Sequence, residues 1–174
     1  MVTTINTNAQ TAAEISAQLL KLPAAADVDT AAEEAQVSDA RAAYDKLTDA
    51  QKTWVSSAAL QHLTAVESDI RTNLTSAEAF ADAVAALPGN DQLSKTAAKQ
   101  VEMVDAAYKK MSSAQKNRVS AATLDVLANK QAAVAANEKA AADLQKSVAA
   151  LPKGADIDTD AEVQALNAAM NAYN

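Results

Sequence analysis

Leu-Pro occurs three times in this chain, at Leu22-Pro23, Leu87-Pro88 and Leu151-Pro152, and Ala-Tyr follows each time, at Ala43-Tyr44, Ala107-Tyr108 and Ala172-Tyr173. The spacings are 65 then 64 residues for the first marker and 64 then 65 for the second. One segment of 64 or 65 residues is therefore repeated, with a single-residue deletion between the two markers of the middle copy. The loops agree, running from Pro23 to Asp27, Pro88 to Asp91 and Pro152 to Asp156. Near its start, Ile5-Asn6-Thr7-Asn8 aligns with Ile70-Arg71-Thr72-Asn73, and Val134 and Asn137 fall at the same period. The chain divides into repeat one at 5–69, repeat two at 70–133 and a truncated repeat three at 134–174. It reads as part of a longer polypeptide with Met1 supplied for expression. A period longer than that of the familiar solenoids predicts a serial array of small helical bundles.

Composition narrows the fold class. Two glycines and three prolines in 174 residues are too few for the turns of a sheet protein. With 49% apolar residues but only 3% aromatic, much of the apolar content being alanine, the core must be thin and helical. The expected fold is all-α. A net charge of −7 repels phosphate backbones and anionic bilayers, so nucleic acid is not an expected partner. The absence of cysteine removes disulfides, thiolate chemistry and cysteine zinc sites. No stretch approaches the ~20 apolar residues of a membrane span, so membrane insertion is not expected.

Within each repeat, Thr30, Ser94 and Thr159 occupy one position and predict a helix N-cap, with Glu33 and Glu162 completing capping boxes in repeats one and three. The inward stripe of that helix reads Val37, Ala40, Tyr44, Leu47, then Val101, Val104, Tyr108, Met111, then Leu166, Ala169, Tyr173. Thr48 with Gln51 and Ser112 with Gln115 predict a second cap and a short corner ending near Val55 and Val119. From about residue 58 to 87 and from 121 to 151 neither glycine nor proline intervenes, which allows a helix of about 30 residues and about 45 Å. Its predicted buried stripe is Leu60, Leu63, Ile70, Ala77, Phe80, Val84 and Leu87, repeated as Leu124, Leu127, Val134, Ala141, Leu144, Val148 and Leu151. Such a helix ends one bundle and begins the next. The expectation is thus tandem three-helix-bundle repeats sharing long connector helices in an elongated rod. The competing expectation is a joint at Asn73-Leu74-Thr75-Ser76, where Thr75 and Glu78 offer a capping box; Asn137-Glu138-Lys139-Ala140 offers none.

The run Ala42-Ala43-Tyr44-Asp45-Lys46-Leu47-Thr48-Asp49-Ala50-Gln51-Lys52-Thr53-Trp54-Val55, echoed more loosely from Ala106 to Val119, resembles a helical repeat of Gram-positive secreted and cell-surface proteins. That repeat reads approximately AYDxLTDxQKxxV before a leucine-rich helix. The resemblance implies a module strung between immunoglobulin-like, S-layer-anchoring or glycoside-hydrolase domains, acting as a spacer or adhesive stalk at the cell surface. It brings no catalytic residues, cofactor or metal.

The candidate sites are few. His62 is the only histidine and its repeat equivalent is Val126, so a His-based triad is not expected. Asp156-Ile157-Asp158-Thr159-Asp160 imitates a calcium loop but has Ala161 where glycine must turn and Asn167 where the bidentate glutamate belongs. Glu33 and Glu34 diverge by about 100 degrees and read as solvated charge. Asn8, Asn73 and Asn137 recur at an apolar-spaced position, either fixing register or serving as surface amides. Trp54, the sole tryptophan, either covers the end of a thin core or offers a stacking platform, and Arg118 replaces it in repeat two. Val163, Leu166, Met170 and Tyr173 form the apolar face of a half-unit that lacks its third helix, a candidate contact for a partner or for another copy of the chain. The functional expectation is a non-catalytic spacer or stalk; the alternative is a binding module for a cell-wall glycan, a host protein or itself.

Overall fold

The computed structural model describes residues 2–24, 27–151 and 159–173. Among these the chain is all-helical and without strands: α1 (Val2–Leu19), α2 (Ala31–Asp45), α3 (Asp49–Lys52), α4 (Ser57–Ala85), α5 (Lys95–Lys110), α6 (Ser113–Lys116), α7 (Ala121–Ala149) and α8 (Asp160–Tyr173), with a 3₁₀ turn at Asn90–Gln92. No helix is long and apolar enough to cross a membrane among the described residues.

The caps set these boundaries. At the start of α2 the Thr30 hydroxyl accepts from the Glu33 amide at 3.2 Å, and the Glu33 carboxylate accepts from the Thr30 amide at 2.9 Å. Two of the donors that a helix start leaves unpaired are satisfied in this way. Thr48 with Gln51 and Ser112 with Gln115 close the same box at the one-turn corners α3 and α6. Thr159 and Glu162 exchange the equivalent pair of bonds at the start of α8. Ser94 caps α5 alone, because Ala97 stands where a box needs a carboxylate or amide. Ser56 and Ser120 cap α4 and α7, accepting from the amides of Ala59 at 3.1 Å and Thr123 at 3.0 Å.

The two long helices are 29 residues each. At 1.5 Å per residue each spans about 44 Å. No joint forms at residues 73–76. Instead the Ser76 hydroxyl donates to the Thr72 carbonyl at 2.8 Å, and the Thr72 hydroxyl to the Ser68 carbonyl at 3.0 Å, so these hydroxyls bond back along an unbroken helix. Thr75 sits inside α4, where it cannot take the extended conformation that an N-cap needs.

Buried side chains gather in two clusters. One joins Leu19 of α1, Val28 of the loop, Val37 and Ala40 of α2, and Ala59, Leu63 and Val66 of α4. The other joins Ala77, Phe80 and Val84 of the same α4 with Val101 of α5, Val119, and Leu127 and Val134 of α7. Helix α4 touches α1 and α2 on behalf of the first cluster, and α5, α6 and α7 on behalf of the second. The Phe80 and Tyr108 rings meet at 5.3 Å between centroids, and Tyr44 takes the matching place in the first cluster without an aromatic partner.

The predicted stripe holds through α4, with Leu60, Ile70 and Leu87 half-buried, and fails in the second half of α7. Beyond Val134 no residue of α7 is buried; Ala141 and Val148 are exposed and Leu144 is half-buried. The equivalent Ala77, Phe80 and Val84 are closed over by two further helices, whereas α8 is the helix left to cover this stretch of α7 among the described residues.

The cap bonds carry a pH dependence. The Thr30 hydroxyl, then the amides of Asp29 and Thr30, hold the Glu33 carboxyl below its ordinary value. A lowered folded-state value means stability that is present above the ordinary carboxylate range and lost as pH falls through the folded value. Glu33→Gln keeps a box of the Thr48–Gln51 kind but removes the titration. Urea unfolding at pH 7 and pH 3 is expected to show a smaller pH loss in Glu33→Gln than in the parent; equal losses would disprove this role.

Candidate functional site

The positions where the repeats meet hold the most connected polar chemistry in the molecule. Arg118 closes α6 and turns back onto the loop of repeat one. Its guanidinium pairs with the Glu34 carboxylate, reaches the Val28 carbonyl at 3.4 Å and bonds the Ala114 carbonyl, and its side chain is only 9% exposed. Beside it the Asn117 amide donates to the Asp29 carbonyl at 3.2 Å. The corner of repeat two is thereby clasped to the helix start of repeat one. Guanidinium suits this task because its rigid fork serves several acceptors at once.

Other long-range polar bonds tie helix ends within a repeat. His62 Nε2 lies 3.0 Å from the Leu22 carbonyl. A carbonyl can only accept, so this nitrogen carries the proton and the ring closes the C-terminal end of α1. In repeat two the same service falls to Lys130, whose ammonium donates to the Pro88 carbonyl at 2.6 Å from one turn further along α7. His62 is thus a structural donor. Ser16, buried in α1, donates to the Ala12 carbonyl at 2.8 Å and accepts from the Ser56 amide at 3.0 Å, which pins the start of α4 to α1. Arg41 and Glu67 form a bidentate pair at 2.6 Å for both bonds, linking α2 to α4. The hydrogen bond to Glu67 raises the Arg41 guanidinium above its ordinary value against the opposing effect of burial.

Of the residues singled out as contacts, Val163, Leu166 and Met170 lie on α8, and Trp54 lies apart from them in the sequence, between α3 and α4. Trp54 stands at the corner of repeat one and is 55% exposed. Val163 and Met170 are exposed on α8, Leu166 is half-buried and Ala169 is buried. The side chain of Tyr173, and residues 156–158 of the calcium-like segment, lie outside the described residues. Among the described residues no three His, Asp or Glu side chains are grouped to hold a metal ion. Asn8 and Asn73 are half-buried, while Asn137 is exposed and its amide lies 3.5 Å from the Leu93 carbonyl. Sequence reasoning missed Arg118 as a clasp, although an arginine at the position of an exposed tryptophan was the available signal.

Comparison with family models, with curated proteins and with solved structures brings up no match.

The clasp predicts a measurable coupling. Because Arg118 is nearly buried and Glu34 partly solvated, Arg118→Ala is expected to cost about 1–2 kcal/mol. A double-mutant cycle with Glu34→Ala should return a coupling near 1 kcal/mol in urea unfolding. Additive losses would show that the pair contributes nothing.

Proposed function

We propose that this chain is a non-catalytic structural array: tandem three-helix units that share α4 and α7 as connectors and hold their neighbours at fixed separation. The observation that carries this reading is the unbroken passage of α4 from Ala59, Leu63 and Val66 in one cluster to Ala77, Phe80 and Val84 in the next. A helix with core residues at both ends transmits orientation as a beam does, since bending it strains both clusters. Support for a cell-surface or S-layer-associated setting in a Gram-positive bacterium comes from the resemblance of the segment around Tyr44 to Val55, and the neighbours would then be other domains of a longer chain. The units 5–69, 70–133 and 134–174 are the sequence boundaries of that array. Small-angle scattering is expected to give an elongated profile. Leu74→Pro, at an exposed position of α4 between the clusters, is expected to cost about 3 kcal/mol and to broaden the distance distribution. A compact profile for the parent would refute the array.

A second reading, a binding module for a cell-wall glycan, a host protein or another copy of the chain, draws on Trp54, an exposed aromatic at a corner. An exposed indole offers a flat face for sugar stacking. Retention on purified wall polymer, reduced at least tenfold by Trp54→Ala, is the expected outcome of that reading; no retention of the parent protein removes the glycan version.

A further inference from the structure

The corners of repeats one and two have the same shape and different surroundings. Each carries a capping box and a lysine ammonium 5.6 Å from a tyrosine ring centroid, Lys52 over Tyr44 and Lys116 over Tyr108. Each closes with nearly the same backbone angles, φ −66° and ψ −17° at Thr53 and φ −65° and ψ −16° at Asn117. The backbone thus delivers the next residues, Trp54 and Arg118, to the same place. Arg118 lies against the loop and helix start of repeat one, and Ala114 and Val119 of its corner are buried. In repeat one the matching Ala50 is exposed, Val55 is half-buried and Trp54 is largely exposed.

We propose that Trp54 is the clasp residue of its corner, and that its partner is the loop and helix start of a further unit of this repeat, joined ahead of α1 and carrying an apolar residue at the place of Glu34. The partner's position follows from translation, because moving the Arg118 contact back by one repeat lays the loop of a preceding unit on Trp54. The partner's chemistry follows from the side chain. A guanidinium fork needs a carboxylate and carbonyls, which Glu34, Val28 and Ala114 supply. An indole has one donor and a broad apolar face. Its N–H can serve the loop carbonyl that Arg118 meets at Val28, but its ring needs an apolar side chain where Glu34 stands.

Repeat three shows that this repeat carries such a helix start. Asp156-Ile157-Asp158-Thr159 matches Asp27-Val28-Asp29-Thr30, Glu162 matches Glu33, and Val163 stands at the place of Glu34. Thr159 and Glu162 close the same box as Thr30 and Glu33, so α8 presents Val163 as α2 presents Glu34, and Val163 is exposed. The two kinds of clasp exclude one another. A guanidinium over Val163 has lost its carboxylate, and an indole over Glu34 desolvates a charge without pairing it. The residue at the corner therefore selects which unit stands before it. This inference deepens the spacer reading, on which it rests for units joined in line, and it competes with the glycan reading for the face of Trp54.

Trp54 is the sole tryptophan, so its fluorescence reports the contact directly. Residues 134–174 followed by 110–133, joined in register ahead of Ile5 of the whole chain, supply a preceding unit without adding a tryptophan. Acrylamide quenching of Trp54 is expected to fall at least about threefold in the extended chain relative to the parent, with a blue-shifted emission maximum. Val163→Glu in the added unit is expected to restore most of the quenching. Within the parent chain, Trp54→Phe with Arg118→Trp and Glu34→Val moves the pair onto the existing clasp, where the transplanted indole is expected to be shielded; this variant serves should the added unit fail to fold. An indole as open in the folded extended chain as in the parent overturns the proposal, and so does one indifferent to Val163→Glu or open at the transplanted position. Shielding of Trp54 in the parent alone as its concentration rises gives the site to a second copy and overturns it too. Scattering of the extended chain separates the two readings. An elongated profile with an open indole defeats this inference alone, whereas a compact profile defeats the array with it.

Discussion

The described structure depends on one heptad seam that runs the length of α4. Ala59, Leu63, Val66, Ile70, Asn73, Ala77, Phe80, Val84 and Leu87 follow one another at alternating steps of four and three residues. A 3.5-residue repeat on a 3.6-residue helix drifts by only about 20° per heptad, so both clusters stand on nearly the same side of α4. Asn73 is the polar member of the seam and marks where one cluster gives way to the other. Its half-buried amide interrupts the apolar contact while leaving the helix intact, which is why two cores form along one unbroken element.

Repetition separates what the fold requires from what each position is free to do otherwise. The N-cap hydroxyls, the corner boxes and the seam recur because each satisfies a backbone group or a core contact that nothing else in the unit supplies. The carbonyls at the Leu-Pro ends need a donor, yet repeat one uses His62 and repeat two uses Lys130. Helices α2 and α4 are tied by Arg41 and Glu67, while Asp105 at the place of Arg41 pairs along its own helix with Lys109. The first difference preserves a bond by other means, whereas the second gives up the tie between helices for a pair within one.

Local rules carried most of the fold into the sequence. Caps and periodicity act over three to seven residues, so Thr30, Thr48, Ser112 and the seam of α4 could be read directly from residue order. Ser56 and Ser120 escaped notice because no box residue follows them, leaving a single hydroxyl as the signal. What was not legible was partner choice at a distance. Ser16 meets Ser56 across 40 residues and Arg118 meets Glu34 across 84, and nothing in either local sequence encodes the pairing. The second half of α7 shows the same limit, since its spacing repeats that of α4 while its burial depends on which helices lie against it.

The thinness of the cores bears on how such a chain holds together. Ala40, Ala59, Ala77, Ala97 and Ala114 are all buried, so helices approach closely but each contact buries little apolar area. A unit of about 60 residues with such a core is marginal alone, because the conformational entropy it must overcome scales with its length. Sharing α4 changes that balance: unfolding either cluster frays a helix whose other end is still packed, and it opens the Arg118–Glu34 clasp as well. Stability is then gained from neighbours rather than from core size. Helix α4 is at once what joins the two cores and what lets small cores suffice.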